Sequence, residues 1–309
     1  MINFRYHVVS LTAVFLALAI GLVVGTAALN GPAADSLNES ISSMRKTNNQ
    51  LREQVLNLEN EAGRKGDYVI ESAPYVLGGK LTGHRLAVVS FSSGRDYVEG
   101  ISAQLTTAGA KITATVALQD KFTDPKNNAE LMDLADNALP PSLSASTLPG
   151  NSDGVETASA LLAAVLLDRT PPLPAADIRS VITAFTKAGY LSVEGTLTGP
   201  AEAAVMVSGA PYVDSEAKRK NDAVVTTVEQ FDNAGLVTVA GALSGDGNVV
   251  SAVRGDPRLV KTISTVDDAP TAQGQVVTAL TAWEQLTQGK VGQYGVGAGA
   301  TSLMPKLPS

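Results

Sequence analysis

The sequence predicts an α/β fold: an N-terminal transmembrane helix and a coiled-coil helix, followed by a Rossmann-like domain with a mostly parallel sheet. Three observations carry this. Val8 to Leu29 is a run of 22 residues without a charge. Leu37 to Ala62 keeps an unbroken heptad. Beyond residue 85, short apolar runs alternate with amphipathic helical segments, the pattern of a sheet covered on both faces.

A helix of 22 residues spans about 33 Å, the hydrocarbon thickness of a bilayer. Arg5 precedes the run, and the first charges after it are Asp35 and Glu39. That asymmetry predicts a cytoplasmic N-terminus (1–7), a span (8–29) and an extracytoplasmic remainder. A cleaved signal peptide is the alternative, since Thr26 and Ala28 are small. The run exceeds the usual h-region of about 7–15 residues, so an uncleaved single-pass anchor is expected.

After a break at Gly31-Pro32, Ile41, Asn48, Val55 and Ala62 occupy heptad position a, and Leu37, Met44, Leu51 and Leu58 occupy d. β-Branched residues at a with Leu at d favour a parallel two-stranded coil, and one Asn at a sets register and dimer state. The expected coil covers 35–63, capped by Asp35 or Ser36 and closed near Gly63 and Gly66. Its partner is a second copy of the chain. The alternative is an amphipathic helix lying on the globular domain, against which the narrow a/d stripe argues.

Residues 64–84 read as a connector, with Pro74 and Gly78-Gly79 as breakers. The α/β domain is expected at 85–295. Leu86–Phe91, a helix over 96–108 and Lys111–Val116 form a βαβ unit. Helices are expected at 127–138, 156–167, 175–187, 215–234 and 273–288. Strands are expected at 190–193, 203–207, 236–240 and 262–266. Val249–Val253 is expected to pair across the turn at Ser244–Asn248 as a hairpin. Residues 139–154 are rich in Pro, Ser and Gly and suggest a seam between lobes. Residues 296–309 read as a flexible tail.

Composition excludes several chemistries. The net charge is −7 and there is no cysteine. An acidic chain offers no footprint for nucleic acid. Without cysteine there are no disulfides, thiol nucleophiles or thiolate metal sites. No P-loop occurs. Ser92-Ser93-Gly94-Arg95 follows the first strand with a single glycine, too few for a dinucleotide fingerprint. A formal GxGxxA match at Gly295, Gly297 and Ala300 follows the last helix and opens no other. His7 adjoins the membrane. His84 precedes the first strand, away from the edge where such folds place ligands. The basic triplet Lys218-Arg219-Lys220 reads as a solvated helix face. Asp267-Asp268 follows a strand at the ligand edge, but adjacent side chains on an extended chain point apart. The five methionines are scattered, which offers no soft-ligand cluster for Cu(I). No catalytic residue, metal site or cofactor emerges, and no enzyme is expected.

The run Phe4-Arg5-Tyr6-His7-Val8-Val9-Ser10-Leu11, continuing through Ala13 to Ala19, resembles the opening of the actinobacterial MctB family. Ser264-Thr265-Val266-Asp267-Asp268 and Gly292-Gln293-Tyr294-Gly295 agree in order and spacing. Members of this family are often labelled copper transporters, and some are called SteB. The resemblance implies two different roles. One is a copper-export or channel role at the cell envelope. The other is SteB-like: a partner of the membrane protein SteA that regulates a peptidoglycan hydrolase in cell separation, through the coiled coil. The residue reading favours the second. The resemblance also implies that Asp267, Asp268 and Tyr294 matter, without giving them a chemical role.

Overall fold

The structure, a computed structural model, describes residues 4–30, 32–242 and 245–306. Gly31 of the expected break and Ser244 of the expected turn lie outside these residues. The chain divides into two compact units, Met1–Arg64 and Lys65–Ser309.

The first unit is helical. Helix α1 (Phe4–Asn30) carries the apolar run, and α2 (Pro32–Leu77) starts in this unit and ends in the second. At 46 residues, α2 is about 69 Å long. It does not stop at Gly63 or Gly66, so most of the expected connector is helix. The reason lies in its last three turns. Ala73 and Leu77 are fully buried in the α/β core, and Val69 and Val76 pack against it. That burial outweighs two mid-helix glycines, each worth about 1 kcal/mol against helix. Pro74 falls within the last turn and forfeits only a bond to the preceding turn.

The second unit is built on seven strands: β1 (Arg85–Ser90), β2 (Lys111–Leu118), β3 (Leu191–Glu194), β4 (Ala203–Ser208), β5 (Leu236–Gly241), β6 (Ser264–Val266) and β7 (Gln293–Tyr294). Their order is β3-β2-β1-β4-β5-β6-β7. All pairs are parallel except β2–β3. Between them run α3 (Val98–Thr107), the short α4 (Asp120–Thr123), α5 (Asn128–Ala138), α6 (Gly154–Leu166), α7 (Ala175–Lys187), α8 (Ala217–Ala234), α9 (Val249–Gly255) and α10 (Ala272–Gln288).

Strand alternation sorts the core into two layers. Ala87, Val89, Ala204 and Met206 face the layer holding α5 to α9. Leu86, Val88, Val205 and Val207 face α3, α10 and the end of α2. The expected lobe seam is not a division: Leu143 is buried in the first of these layers.

Two local expectations are corrected. Val249–Val253 is helix α9, not a hairpin strand. The side chain of Asn248 accepts the Val250 N–H and caps it, and Val249, Val250 and Val253 are buried on one face. The strand β7, too short to show a period, adds an edge beyond β6. The tail after it is held: Gly295 N–H donates to Ser302 O (3.1 Å) and Thr301 N–H to Gln293 O (2.7 Å).

In dinucleotide folds the ligand crevice opens between β1 and β4, where the strand order reverses. Here that point is shut. Ser93 Oγ accepts the Gly209 N–H at 3.0 Å. A Cβ on Gly209 would lie 1.9 Å from Ser93 O, and one on Gly94 would lie 2.5 Å from Val207 O. Gly209→Ala is therefore expected to destabilise the domain by roughly 1–3 kcal/mol. Gly255→Ala, with nothing within 4 Å, serves as the near-neutral control. Urea midpoints of the two variants check this.

Candidate functional site

The heptad residues Leu37, Ile41, Met44, Asn48, Leu51, Val55, Leu58 and Ala62 form one stripe along α2, and all are exposed within the single chain. Ile41, the least exposed of the large apolar members, still shows 38% of its surface, and Met44 shows 72%. The a column continues in register at Val69 and Val76. Those two pack on the α/β core instead, so the face available to another helix ends at Ala62.

The motif residues Asp267 and Tyr294 meet at the C-terminal edge of β6 and β7, and a third residue joins them. Asp267 is fully buried, and its Oδ2 lies 2.7 Å from Arg254 Nη1. The Val296 and Gly297 N–H groups each donate to the same carboxylate at 2.8 Å. Arg254 also donates through Nε to Thr265 Oγ1 (2.8 Å), through Nη1 to Ala298 O (3.0 Å) and through Nη2 to Tyr294 O (2.6 Å). A buried ion pair persists when its remaining hydrogen-bonding capacity is met in this way. The GxGxxA match follows from this geometry. Gly295 has φ +124°, and a Cβ there would lie 2.1 Å from Asp267 Oδ1. The glycine loop is a small nest of amides around an anion, and the anion is the protein's own carboxylate.

Asp268 turns away. Its Oδ2 accepts from Thr271 Oγ1 (3.2 Å), and its Oδ1 is buried without a partner. Burial pushes its carboxyl up from the ordinary value, and the charge of Asp267 adds to this. Thr271 caps α10 through the Gly274 N–H. The Tyr294 hydroxyl donates to Glu284 on α10. Burial raises the Tyr294 phenol first, and the Glu284 carboxylate raises it further. This edge therefore locks the C-terminal segment to the sheet. Arg254 escaped the sequence reading because it directly follows Val249–Val253, the segment taken for a strand, and lies inside helix α9.

Elsewhere several charged side chains pair with one another. His84 Nδ1 lies 2.8 Å from Glu202 Oε2 at the amino end of β1, and Arg85 grips Asp168 through two bonds. Lys218 pairs with Asp222, Arg219 with Glu216 and Lys220 with Asp214. Among the described residues, no three His, Asp or Glu side chains gather where a metal ion could be held.

Comparison with known proteins places these features in a family. The model described as "Copper transport outer membrane protein, MctB" matches residues 1–305. Proteins named "Copper transporter MctB" from Mycobacterium tuberculosis H37Rv and Mycobacterium bovis are each 26% identical over 311 residues. The protein of the same name from Mycobacterium leprae is 28% identical over 321 residues. Each alignment covers 98% of this chain and 99% of the relative.

Two outcomes follow from the sheet edge. Arg254→Met leaves the Asp267 carboxylate buried and unpaired, which costs about 3–5 kcal/mol. Arg254→Met with Asp267→Leu should recover part of that loss in chemical denaturation. Asp268 gives a pH signature. Its folded value lies above its unfolded value of about 3.9, so its contribution favours folding at low pH and is lost as pH rises through the folded value. Urea midpoints of Asp268→Asn relative to wild type should therefore improve as pH is raised from about 4 to 7.

Proposed function

The chain belongs to the MctB family, and on that premise we propose that it is a non-enzymatic, membrane-anchored component of copper transport at the cell envelope, working as a parallel homodimer. The observation that carries the assembly is the exposed heptad stripe from Leu37 to Ala62. The copper assignment rests on the family description and on the name its relatives carry. Copper enters as cargo. The apolar helix α1 marks a membrane-associated protein. The reading adds that α1 is an uncleaved anchor whose N-terminus faces the cytoplasm, because Arg5 lies on that side and Asp35 and Glu39 on the other.

A second reading has a specific observation in its favour. A long helix with an exposed apolar stripe is also a surface for another protein's helix. It suits a SteB-like role, in which the stalk engages a SteA-like membrane protein and a peptidoglycan hydrolase during cell separation.

One experiment divides the two. The gene is deleted in its native host, and cell copper content, copper tolerance and cell separation are scored after complementation with wild type or Val55→Asp. The transport reading expects raised copper and lowered tolerance, rescued by wild type and not by Val55→Asp. Normal copper handling with chained, unseparated cells would replace it with the second reading.

Asn48→Leu tests the coil itself. Removing the buried polar layer should raise the thermal midpoint of the stalk while admitting assemblies other than the dimer. Light scattering of the detergent-solubilised protein reads both species.

A further inference from the structure

The shut crevice between β1 and β4 leaves the carboxyl edge of the sheet with a different opening. A cleft of about 380 Å³ lies in the helical layer beside it. Asn128 at the start of α5, Asp153 and Val155 at the start of α6, and Arg219, Asp222 and Ala223 on α8 line it. Its size lies within the range of small-molecule sites. We propose that this cleft binds a small zwitterion, an amino acid or short peptide whose carboxylate is held by Arg219 and Asn128 and whose ammonium is held by Asp153 and Asp222.

The argument rests on which groups the fold has already used. Asn128 Oδ1 accepts the Gly154 and Val155 N–H groups at 2.9 and 3.3 Å. The amide oxygen is committed, so its Nδ2 remains as a donor. A Cβ on Gly154 would lie 2.0 Å from Asn128 O, so α5 and α6 close tightly beneath the cleft. Asp153 uses Oδ1 on the Glu156 N–H, and Asp222 uses Oδ2 on Lys218. Each keeps a second oxygen that no donor among the described residues takes. Arg219 reaches Glu216 only at 3.6 Å through Nη1, which leaves the rest of its fork for a carboxylate. Val155 and Ala223 add apolar atoms to the lining. A guanidinium and two carboxylates around one cleft match a ligand with both charges. A simple anion would meet the two carboxylates, and a simple cation would meet Arg219.

The test uses the full-length protein in lipid nanodiscs and titrates alanylalanine by calorimetry. N-acetylated and C-amidated alanylalanine are the companion probes. Saturable binding of the free dipeptide is expected, with each cap weakening it by roughly tenfold or more. Arg219→Gln should weaken the free dipeptide and abolish sensitivity to the C-terminal amide. Asp222→Asn should do the same for the N-acetyl cap. Both side chains are exposed, and an unchanged thermal midpoint confirms folding. The proposal is overturned if the free dipeptide shows no saturation to about 10 mM, if capped and free forms bind alike, or if both variants bind as wild type does.

Discussion

A parallel sheet cannot leave a face to water, and that constraint shapes both ends of this protein. One face of the sheet is covered by α5 to α9, and the other has only α3 and α10 from within the βα succession. The remaining cover comes from Val69, Ala73, Val76 and Leu77, the last turns of the helix that begins as the stalk. The stalk is therefore not a spacer added to a finished domain. Val69 and Val76, which pack on the domain's core, continue its a column, and the exposed stripe ends at Ala62.

Electrostatics closes the other end. Edge strands present unpaired backbone groups, and β7 is a two-residue strand that could not hold the edge alone. The buried Arg254 supplies the hold, reaching β6, Asp267, Tyr294 and Ala298 at once. The same carboxylate occupies a glycine nest of the kind that elsewhere receives phosphate. Together with the contact of Gly209 on Ser93, this leaves both the crevice between β1 and β4 and the glycine loop after β7 filled by the protein's own atoms.

Much of this was legible in the sequence. The apolar run, the heptad and the alternation of Leu86–Phe91 and Ala203–Val207 with helices specify their elements through periodicity, the signal that burial writes most strongly. The misreadings have local physical causes. Val249-Val250 suggested a strand because β-branched residues favour one, yet the Asn248 cap and the spacing to Val253 made a helix. Gly63 and Gly66 suggested an end because local propensity cannot see the tertiary burial of Ala73 and Leu77. Asp267 and Asp268 could be singled out, but not their partners. Arg254 and the amides of Val296 and Gly297 lie 13 to 30 residues away in the chain, and no short-range pattern announces a pairing of that kind.

The distance between Asp267 and its amide donors also sets an order on how the protein is made. The chain is synthesised from its N-terminus, and the Val296 amide follows Asp267 by 29 residues. Until those residues arrive, the sheet can assemble through β6, but the carboxylate at its end cannot be enclosed. Completion of this sheet edge is thus tied to Val296 and Gly297, 29 and 30 residues after the carboxylate they enclose. A product that stops before Gly297 would expose an acidic, unfinished sheet edge to the quality-control proteases it meets.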